Sequence, residues 1–208
     1  AATALLQLAT PKAVDAVVAA LGDHPLHMVR GAIAGMLARR RGDRARDALL
    51  GAFATEEDPR VRRSLATALG SWREPMVADA LLAALHGEQP TWQYTGSLLR
   101  ALGATRDPRA VDAIAPYVGT ASWANTVAQS ALAGLAATRS EGVLDTLVRA
   151  THRDAEPRLR AGAALALGTL GDQVESVRQA AVERLVEMAV GDKSPSVRLY
   201  AAAAVASI

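Results

Sequence analysis

The chain has no cysteine and few aromatic residues, with three Trp, three Tyr and one Phe among 208 residues. Without cysteine it can form no disulfide framework and no thiolate metal site. Half of the residues are apolar, so a core must be assembled from Ala, Leu and Val. Small side chains let helices pack closely, and Ala has the highest helix propensity. The composition therefore favours an all-α protein.

Long apolar segments are also missing. The longest Ala-rich run, 199–208, covers ten residues, about half of the roughly 20 that a bilayer-spanning helix needs. The 23 basic and 21 acidic residues give a net charge of +2, and only two of the basic residues are lysine. Nucleic-acid binding requires a more concentrated basic field. We expect no membrane or nucleic-acid partner, and the lack of cysteine fits a cytoplasmic location.

An anchor residue followed by Gly or Ala recurs along the chain. The spacings are 32, 33, 33, 32 and 38 residues, at Leu37, Leu69, Leu102, Leu135, Leu167 and Val205. Self-similarity at this period predicts stacked helix pairs, so we expect about six pairs in a single domain over residues 1–208. The terminal units of a free array normally carry a polar cap, which neither end of this sequence shows. We therefore expect the chain to be a fragment of a longer protein.

Each repeat is expected to contain a first helix that carries the anchor and a second helix that follows it. Prolines mark the starts of the first helices, at Pro25, Pro59, Pro90, Pro157 and Pro195, with Asp58 and Ser194 as caps. Left-handed helix ends are expected at Gly70, Gly103 and Gly168, and a turn at Gly171-Asp172. The first helices are predicted at 25–39, 59–70, 90–103, 122–137, 157–170 and 195–208. The second helices are predicted at 13–21, 45–53, 76–85, 110–118, 142–150 and 177–190, the last being the longest, and we expect them to line the inner surface.

Four arginines stand seven residues before an anchor, each after Val or Leu: Arg30, Arg62, Arg160 and Arg198. Proline, then Val-Arg, then Ala-Leu-Gly resembles the first helix of HEAT repeats. That resemblance implies an α-α superhelical solenoid. We interpret the four arginines as a ladder that bonds to the neighbouring turn and holds successive units in register.

The middle units carry a more specific pattern. Residues 91–94 read Thr-Trp-Gln-Tyr, 98–106 read Leu-Leu-Arg-Ala-Leu-Gly-Ala-Thr-Arg, and 122–127 read Ser-Trp-Ala-Asn-Thr-Val. This order resembles the C-terminal HEAT-like region of zinc aminopeptidases of the aminopeptidase N family, and residues 24–30 are similar to its opening. The resemblance implies a non-catalytic domain that packs on the catalytic domains of the parent enzyme and helps enclose the peptide-access chamber. The zinc motif His-Glu-x-x-His does not occur in this sequence, so we expect no metal, cofactor or catalytic residue within it.

Contacts with a peptide or partner protein are expected on the second helices, where arginines alternate with acidic residues. The candidates are Arg44, Arg46, Arg109, Arg149, Arg178 and Arg184. A mixed-charge surface suits transient contacts with peptides. The arginine cluster at residues 39–46 is expected to be either a solvated helix end, which the helix dipole favours, or a docking point for an acidic partner.

Trp72, Trp92 and Trp123 are interpreted as side chains that pack one repeat on the next. Base stacking, as in HEAT-like DNA glycosylases, is the alternative for them. His24 and His27 straddle a proline and are expected in a surface turn rather than at a metal. Besides the aminopeptidase domain, a free-standing HEAT-repeat scaffold for protein–protein interaction and a DNA glycosylase remain open as functions.

Overall fold

The computed structural model describes residues 11–40, 42–87 and 91–208. These residues form twelve α-helices and no β-strand. The helices are α1 Pro11–Asp23, α2 His27–Arg40, α3 Asp43–Thr55, α4 Pro59–Leu69, α5 Pro75–His86, α6 Trp92–Thr105, α7 Ala110–Ile114, α8 Thr126–Thr138, α9 Leu144–Ala150, α10 Pro157–Gln173, α11 Glu175–Gly191 and α12 Pro195–Val205. Short 3₁₀ helices occupy Ala115–Gly119, Trp123–Asn125 and Glu141–Val143.

The helices form two layers. The even-numbered helices, α2 to α12, are the first helices of the repeats, and each packs directly on the next first helix along the chain. The odd-numbered second helices pack mainly on first helices and make few contacts with one another. The anchors Leu37, Leu69, Leu102, Leu135 and Leu167 are all buried, so the core runs along the length of the stack. This arrangement confirms the all-α solenoid of about six helix pairs.

Three of the six first helices begin at a predicted proline. Pro59, Pro157 and Pro195 each stand in the first turn of a helix. The carboxylate of Asp58 accepts a hydrogen bond of 2.8 Å from the amide of Arg60, which confirms the predicted cap. Ser194 makes no such bond.

The other two prolines do not confirm the prediction. The helix predicted from Pro25 begins two residues later, at His27. Pro90 lies outside the described residues.

The glycines after the anchors were predicted to end helices in a left-handed conformation, which was wrong for Gly103 and Gly168; a helix does end at Gly70, but not in that conformation. Gly70 has a right-handed φ of −58°, while Gly103 and Gly168 lie inside α6 and α10. The left-handed residues are Arg106 and Arg139, both with φ 58°, after α6 and α8. Two of the three first helices therefore continue beyond their glycines, whereas α4 ends directly before Gly70.

Close helix packing explains these glycines. A Cβ added to Gly103 would lie 1.9 Å from the carbonyl oxygen of Gly134, and one added to Gly134 would lie 2.5 Å from the carbonyl oxygen of Leu99. At Gly168 an added Cβ would lie 2.8 Å from the Cβ of Ala204. The backbones of successive first helices therefore touch, which only glycine permits at these positions.

The second helices are less regular than predicted. Residues 110–118 form α7 and a 3₁₀ helix instead of one α-helix, because Pro116 has no amide hydrogen to donate. The last second helix, Glu175–Gly191, is the longest of the second helices among the described residues, as predicted. Gly171-Asp172 is not a turn, since α10 continues to Gln173 and Gly171 packs against Ala181 and Ile208.

Candidate functional site

Five of the six candidate arginines on the second-helix side form ion pairs. The pairs are Arg44 with Asp15, Arg46 with Asp43, Asp47 and Glu74, Arg109 with Asp107 and Asp79, Arg178 with Glu175, and Arg184 with Glu187. Arg149 donates a hydrogen bond of 3.0 Å to the hydroxyl of Thr146. The structure therefore distributes these side chains along the stack and does not bring them together at one site.

Several of these contacts join neighbouring repeats. Arg109, before α7, pairs with Asp79 of α5 at 2.8 Å. Arg184 of α11 donates to the hydroxyl of Thr151, after α9, at 2.8 Å. Hydrogen bonds to Asp107 and then to Asp79 raise the pKa of Arg109 above its ordinary value. The arginines thus connect second helices that have little direct contact, while a role in partner binding stays a prediction.

The arginine ladder of the first helices is confirmed at two of its four positions. Arg30 donates from Nε and Nη2 to both carboxylate oxygens of Glu56, each at 2.9 Å. Arg160 does the same to Asp192, at 2.8 and 2.7 Å, with both side chains more than nine-tenths buried. The hydrogen bond from Arg160 holds the pKa of Asp192 below its ordinary value, against the effect of burial. In both pairs the partner carboxylate belongs to the turn before the next first helix.

The other two arginines of the ladder make different contacts. The guanidinium of Arg62 lies over the ring of Tyr94, 4.8 Å from its centre, in the next first helix. Arg198 donates to the backbone carbonyl of Asp192 at 2.9 Å, in the turn before its own helix. Arg62 therefore still joins neighbouring units, whereas Arg198 closes a local turn.

Successive first helices pack on one another, whereas successive second helices make few contacts with each other, and we infer from this that the stack curves toward the first-helix side. A groove of about 540 Å³ lies across α2, α4 and α6, and we call it the polar groove. Its lining is small or polar, including Gly31, Gly35, Ser97 and the two arginines Arg63 and Arg100. No carboxylate lines it among the described residues. Neighbouring helices are closest on the inner side of an arc, so the first helices form the inner surface, and the expectation that the second helices do so was wrong.

A second groove of about 490 Å³ lies on the same face, across α8, α10 and α12, and we call it the aromatic groove. It is lined by Trp123, Leu165 and Tyr200, which are 68%, 47% and 44% exposed. Arg158 and Gln129 contribute the polar part of its lining. Large apolar side chains in a solvent-filled groove are typical of interaction surfaces.

The three tryptophans therefore have different roles. Trp72 is 5% exposed and packs in the core, as predicted. Trp92 is 49% exposed and Trp123 is 68% exposed, so neither is buried between repeats as Trp72 is. They stand at the first residues of α6 and of the 3₁₀ turn before α8, where the side chain projects beyond the close helix contacts.

Sequence reasoning missed Arg63 and Arg100, although a signal for them exists. They occupy the repeat positions six and two residues before the anchor, which hold Gly31 and Gly35 in the unit anchored by Leu37. Comparing repeats position by position would have placed both arginines on the groove face.

The remaining candidate residues form no compact site. The arginines Arg39 and Arg40 end α2 and are exposed, and Arg41 lies outside the described residues. His24 accepts a hydrogen bond from the amide of Leu26 in the turn before α2. Among residues 11–40, 42–87 and 91–208, no three His, Asp or Glu side chains are grouped as metal ligands would be. None of the helices described is both long and apolar enough to cross a bilayer.

Comparison with known proteins agrees with the repeat architecture. The profile of HEAT repeats matches residues 1–70, 53–133, 78–168 and 120–206. Human deoxyhypusine hydroxylase in complex with glycerol is a similar solved structure, with 16% sequence identity, a TM-score of 0.48 and 98% of each chain covered. No curated protein matches the sequence significantly. Since the overlapping profile matches extend over almost the whole chain, this protein belongs to the family of HEAT-repeat proteins.

Proposed function

We propose that this HEAT-repeat domain has a binding role and no catalytic one, and that it is the C-terminal domain of a zinc aminopeptidase. In this role it packs on the catalytic domains and helps enclose the route of peptides to the zinc. The observation that carries the binding role is the aromatic groove, in which Trp123 is 68% exposed. Trp and Tyr contribute most of the binding energy at many protein interfaces.

The backbone at Trp123 also supports a binding role. Ala124 and Asn125 both have left-handed φ angles, 53° and 56°. This conformation is unfavourable for a residue with a Cβ, and alanine rarely adopts it. Strained positions of this kind cluster at binding and active sites. The strain holds Trp123 outside α8, where a partner can cover it.

The assignment to an aminopeptidase is supported by the sequence pattern around Trp92 and Trp123. Both residues belong to the two units that resemble the C-terminal region of that family, and both are exposed on the first-helix side. A large apolar side chain at the surface contributes binding energy when another surface buries it. The catalytic domains of the same enzyme are the partner that the resemblance implies.

The first test is the reading frame upstream of Ala1. We expect it to encode His-Glu-x-x-His and a further glutamate ligand, and the isolated domain to hydrolyse no aminoacyl substrate with or without zinc. Activity of the pure domain, or an upstream frame without a metallopeptidase, would contradict the assignment.

The second test measures association with the catalytic region, produced as a separate polypeptide, by calorimetry. We expect Trp123→Ala to weaken binding by about tenfold or more, as removal of an interface tryptophan commonly does. Val190→Ala is the matched control, because Val190 is 80% exposed on the second-helix side. Equal losses in both variants would show that the aromatic groove is not the contact.

A free-standing scaffold for protein–protein interaction is the second candidate. It is favoured by the position of both grooves on one face of the stack, which could hold an extended segment of another protein. An upstream frame that lacks a peptidase, together with a partner whose binding requires Trp123, would favour this function.

A further inference from the structure

The polar groove contains two guanidinium groups and no described carboxylate to balance them. We propose that Arg63 and Arg100 form a binding site for a carboxylate group of a peptide chain. The site lies across α2, α4 and α6, apart from the aromatic groove, and the inference does not depend on the identity of the parent protein.

Most arginines of this chain have an evident structural partner. Five of the six candidate arginines on the second-helix side pair with carboxylates, and on the first helices Arg30 and Arg160 hold Glu56 and Asp192. Arg63 of α4 and Arg100 of α6 make no ion pair among the described residues. Arg100 donates only to the hydroxyl of Ser130, which is neutral. No ion pair within the described stack therefore accounts for the two positive charges.

The two guanidinium groups also act on each other. Partial enclosure by the groove, and then the positive charge of Arg63, lower the pKa of Arg100 below its ordinary value. Two cations facing one cavity repel each other, and an anion between them removes that cost. A guanidinium presents a planar pair of donors that matches a carboxylate, so two of them can hold one carboxylate from both sides.

Further donors line the same groove. The side-chain amide of Gln93 and the hydroxyls of Ser71 and Ser97 belong to its lining. Ser64 and Thr67 instead donate to the carbonyls of Arg60 and Arg63, at 3.2 and 2.9 Å. The uncharged donors suit the peptide groups that flank a carboxylate.

Two glycines of α2 line the groove, and packing accounts for only one of them: a Cβ added at Gly31 would lie 3.0 Å from the hydroxyl of Ser64. A Cβ added at Gly35 would meet nothing within 4 Å, in contrast to Gly103, where backbone blocks it. Glycine inside a helix costs about 0.5–1 kcal/mol relative to alanine. At Gly35 the missing side chain keeps the groove open for a ligand.

A short peptide fits this site better than a polyanion does. The groove measures about 540 Å³ and contributes two cations, whereas duplex DNA binding involves about 6–10 phosphate contacts. The chain as a whole has a net charge of only +2. A single carboxylate, from a C-terminus or from an Asp or Glu side chain, matches the charge available.

The test is a titration of the full 208-residue chain followed by the NMR signals of the arginine Nε–H groups. The probes are acetyl-Ala-Ala-Ala-Leu with a free C-terminus, its C-terminal amide, and acetyl-Ala-Glu-Ala-Leu amide. We expect the free acid to shift the signals of Arg63 and Arg100 and the plain amide to leave them unchanged. Binding of the Glu-containing amide would assign the site to side-chain carboxylates as well, and its failure would assign the site to C-termini.

Three variants test whether the carboxylate binds at this site or is attracted by the positive charge of the protein in general. Arg63→Gln and Arg100→Gln are each expected to weaken binding of the free acid at least tenfold, with a thermal unfolding curve like that of the unchanged chain. Arg153→Gln removes the same charge from an exposed turn after α9, outside the polar groove, and is expected to have no effect. Equal affinity for acid and amide, equal losses in all three variants, or no shift of either arginine signal would overturn the proposal.

Discussion

The two layers of the stack are held together in different ways. In the first-helix layer, backbones touch at Gly103 and Gly134, and small residues fill the remaining contacts. In the second-helix layer, neighbouring helices stay apart and arginine ion pairs such as Arg109 with Asp79 bridge between them. Close packing is specific and intolerant of added volume, whereas exposed ion pairs are weak and adaptable.

This difference also accounts for where the grooves lie. Close spacing of the first helices makes the stack concave on that side. The small side chains that allow this spacing also leave open grooves across the first helices. The second helices present charges that already satisfy one another. We infer that ligand binding belongs to the layer with the stricter packing, because that layer holds its groove residues in fixed positions.

The largest expected effect comes from adding one methyl group to the first-helix layer. Gly103→Ala places a Cβ 1.9 Å from the carbonyl oxygen of Gly134, which is backbone and cannot rotate away. We expect a loss of about 4 kcal/mol or more in the free energy of unfolding, beyond the range of ordinary overpacking. Urea unfolding followed by circular dichroism measures it.

Gly35→Ala is the matched control, in the same layer but facing open space. It is expected to stabilise the chain by about 0.5–1 kcal/mol, since alanine is the better helix former. If both variants lost stability equally, helix contact would not be the reason for the glycine at position 103.

The next effect concerns the ion pair of Arg160 and Asp192. Among the described ion pairs, it is the one in which both side chains are more than nine-tenths buried. Asp192→Ala leaves the guanidinium of Arg160 buried without its partner. Breaking a buried pair from one side costs about 3–5 kcal/mol, and we expect a value near the lower limit because the pair lies at a turn. The same urea experiment measures the loss, and a change below about 1 kcal/mol, the value of exposed pairs, would contradict this role.

The same pair predicts a dependence of stability on pH. The pKa of Asp192 is lowered in the folded chain, so its contribution is complete above the unfolded pKa and disappears as the pH falls through the folded pKa. Glu56 acts in the same direction: burial, the largest single effect, raises its pKa, but the hydrogen bonds from Arg30 and from the amide of Asp58, together with the charge of Arg30, lower it by more. We expect the free energy of unfolding to decrease from about pH 5 to pH 3. The decrease should be smaller in Asp192→Asn, and an identical slope would contradict the assignment.

Local signals predicted the helices well and the contacts between them less well. Pro59, Pro157 and Pro195 start helices because proline acts within its own turn. Gly103 was mistaken for a helix end because glycine serves both helix ends and close contacts. The residue that decides between them, Gly134, is 31 positions away in sequence.

The candidate site was less accessible to sequence reasoning than the fold. Arg30 and Arg160 could be interpreted correctly because their partners occupy equivalent turns of successive repeats. Trp123 could not, because its exposure follows from the left-handed residues Ala124 and Asn125, which no local pattern indicated. Arg63 and Arg100 belong to separate helices, and only the stacking brings them to one groove.

The smallest expected effect comes from the second-helix layer. Arg109 and Asp79 are 51% and 61% exposed, so water screens their attraction. Arg109→Gln is expected to reduce the free energy of unfolding by no more than about 1 kcal/mol. A double-mutant cycle with Asp79→Asn isolates the pair, and we expect a coupling of about 0.2–1 kcal/mol that decreases in high salt. A coupling as large as the loss at Asp192 would mean that ion pairs, and not the contacts with first helices, hold the second helices in place.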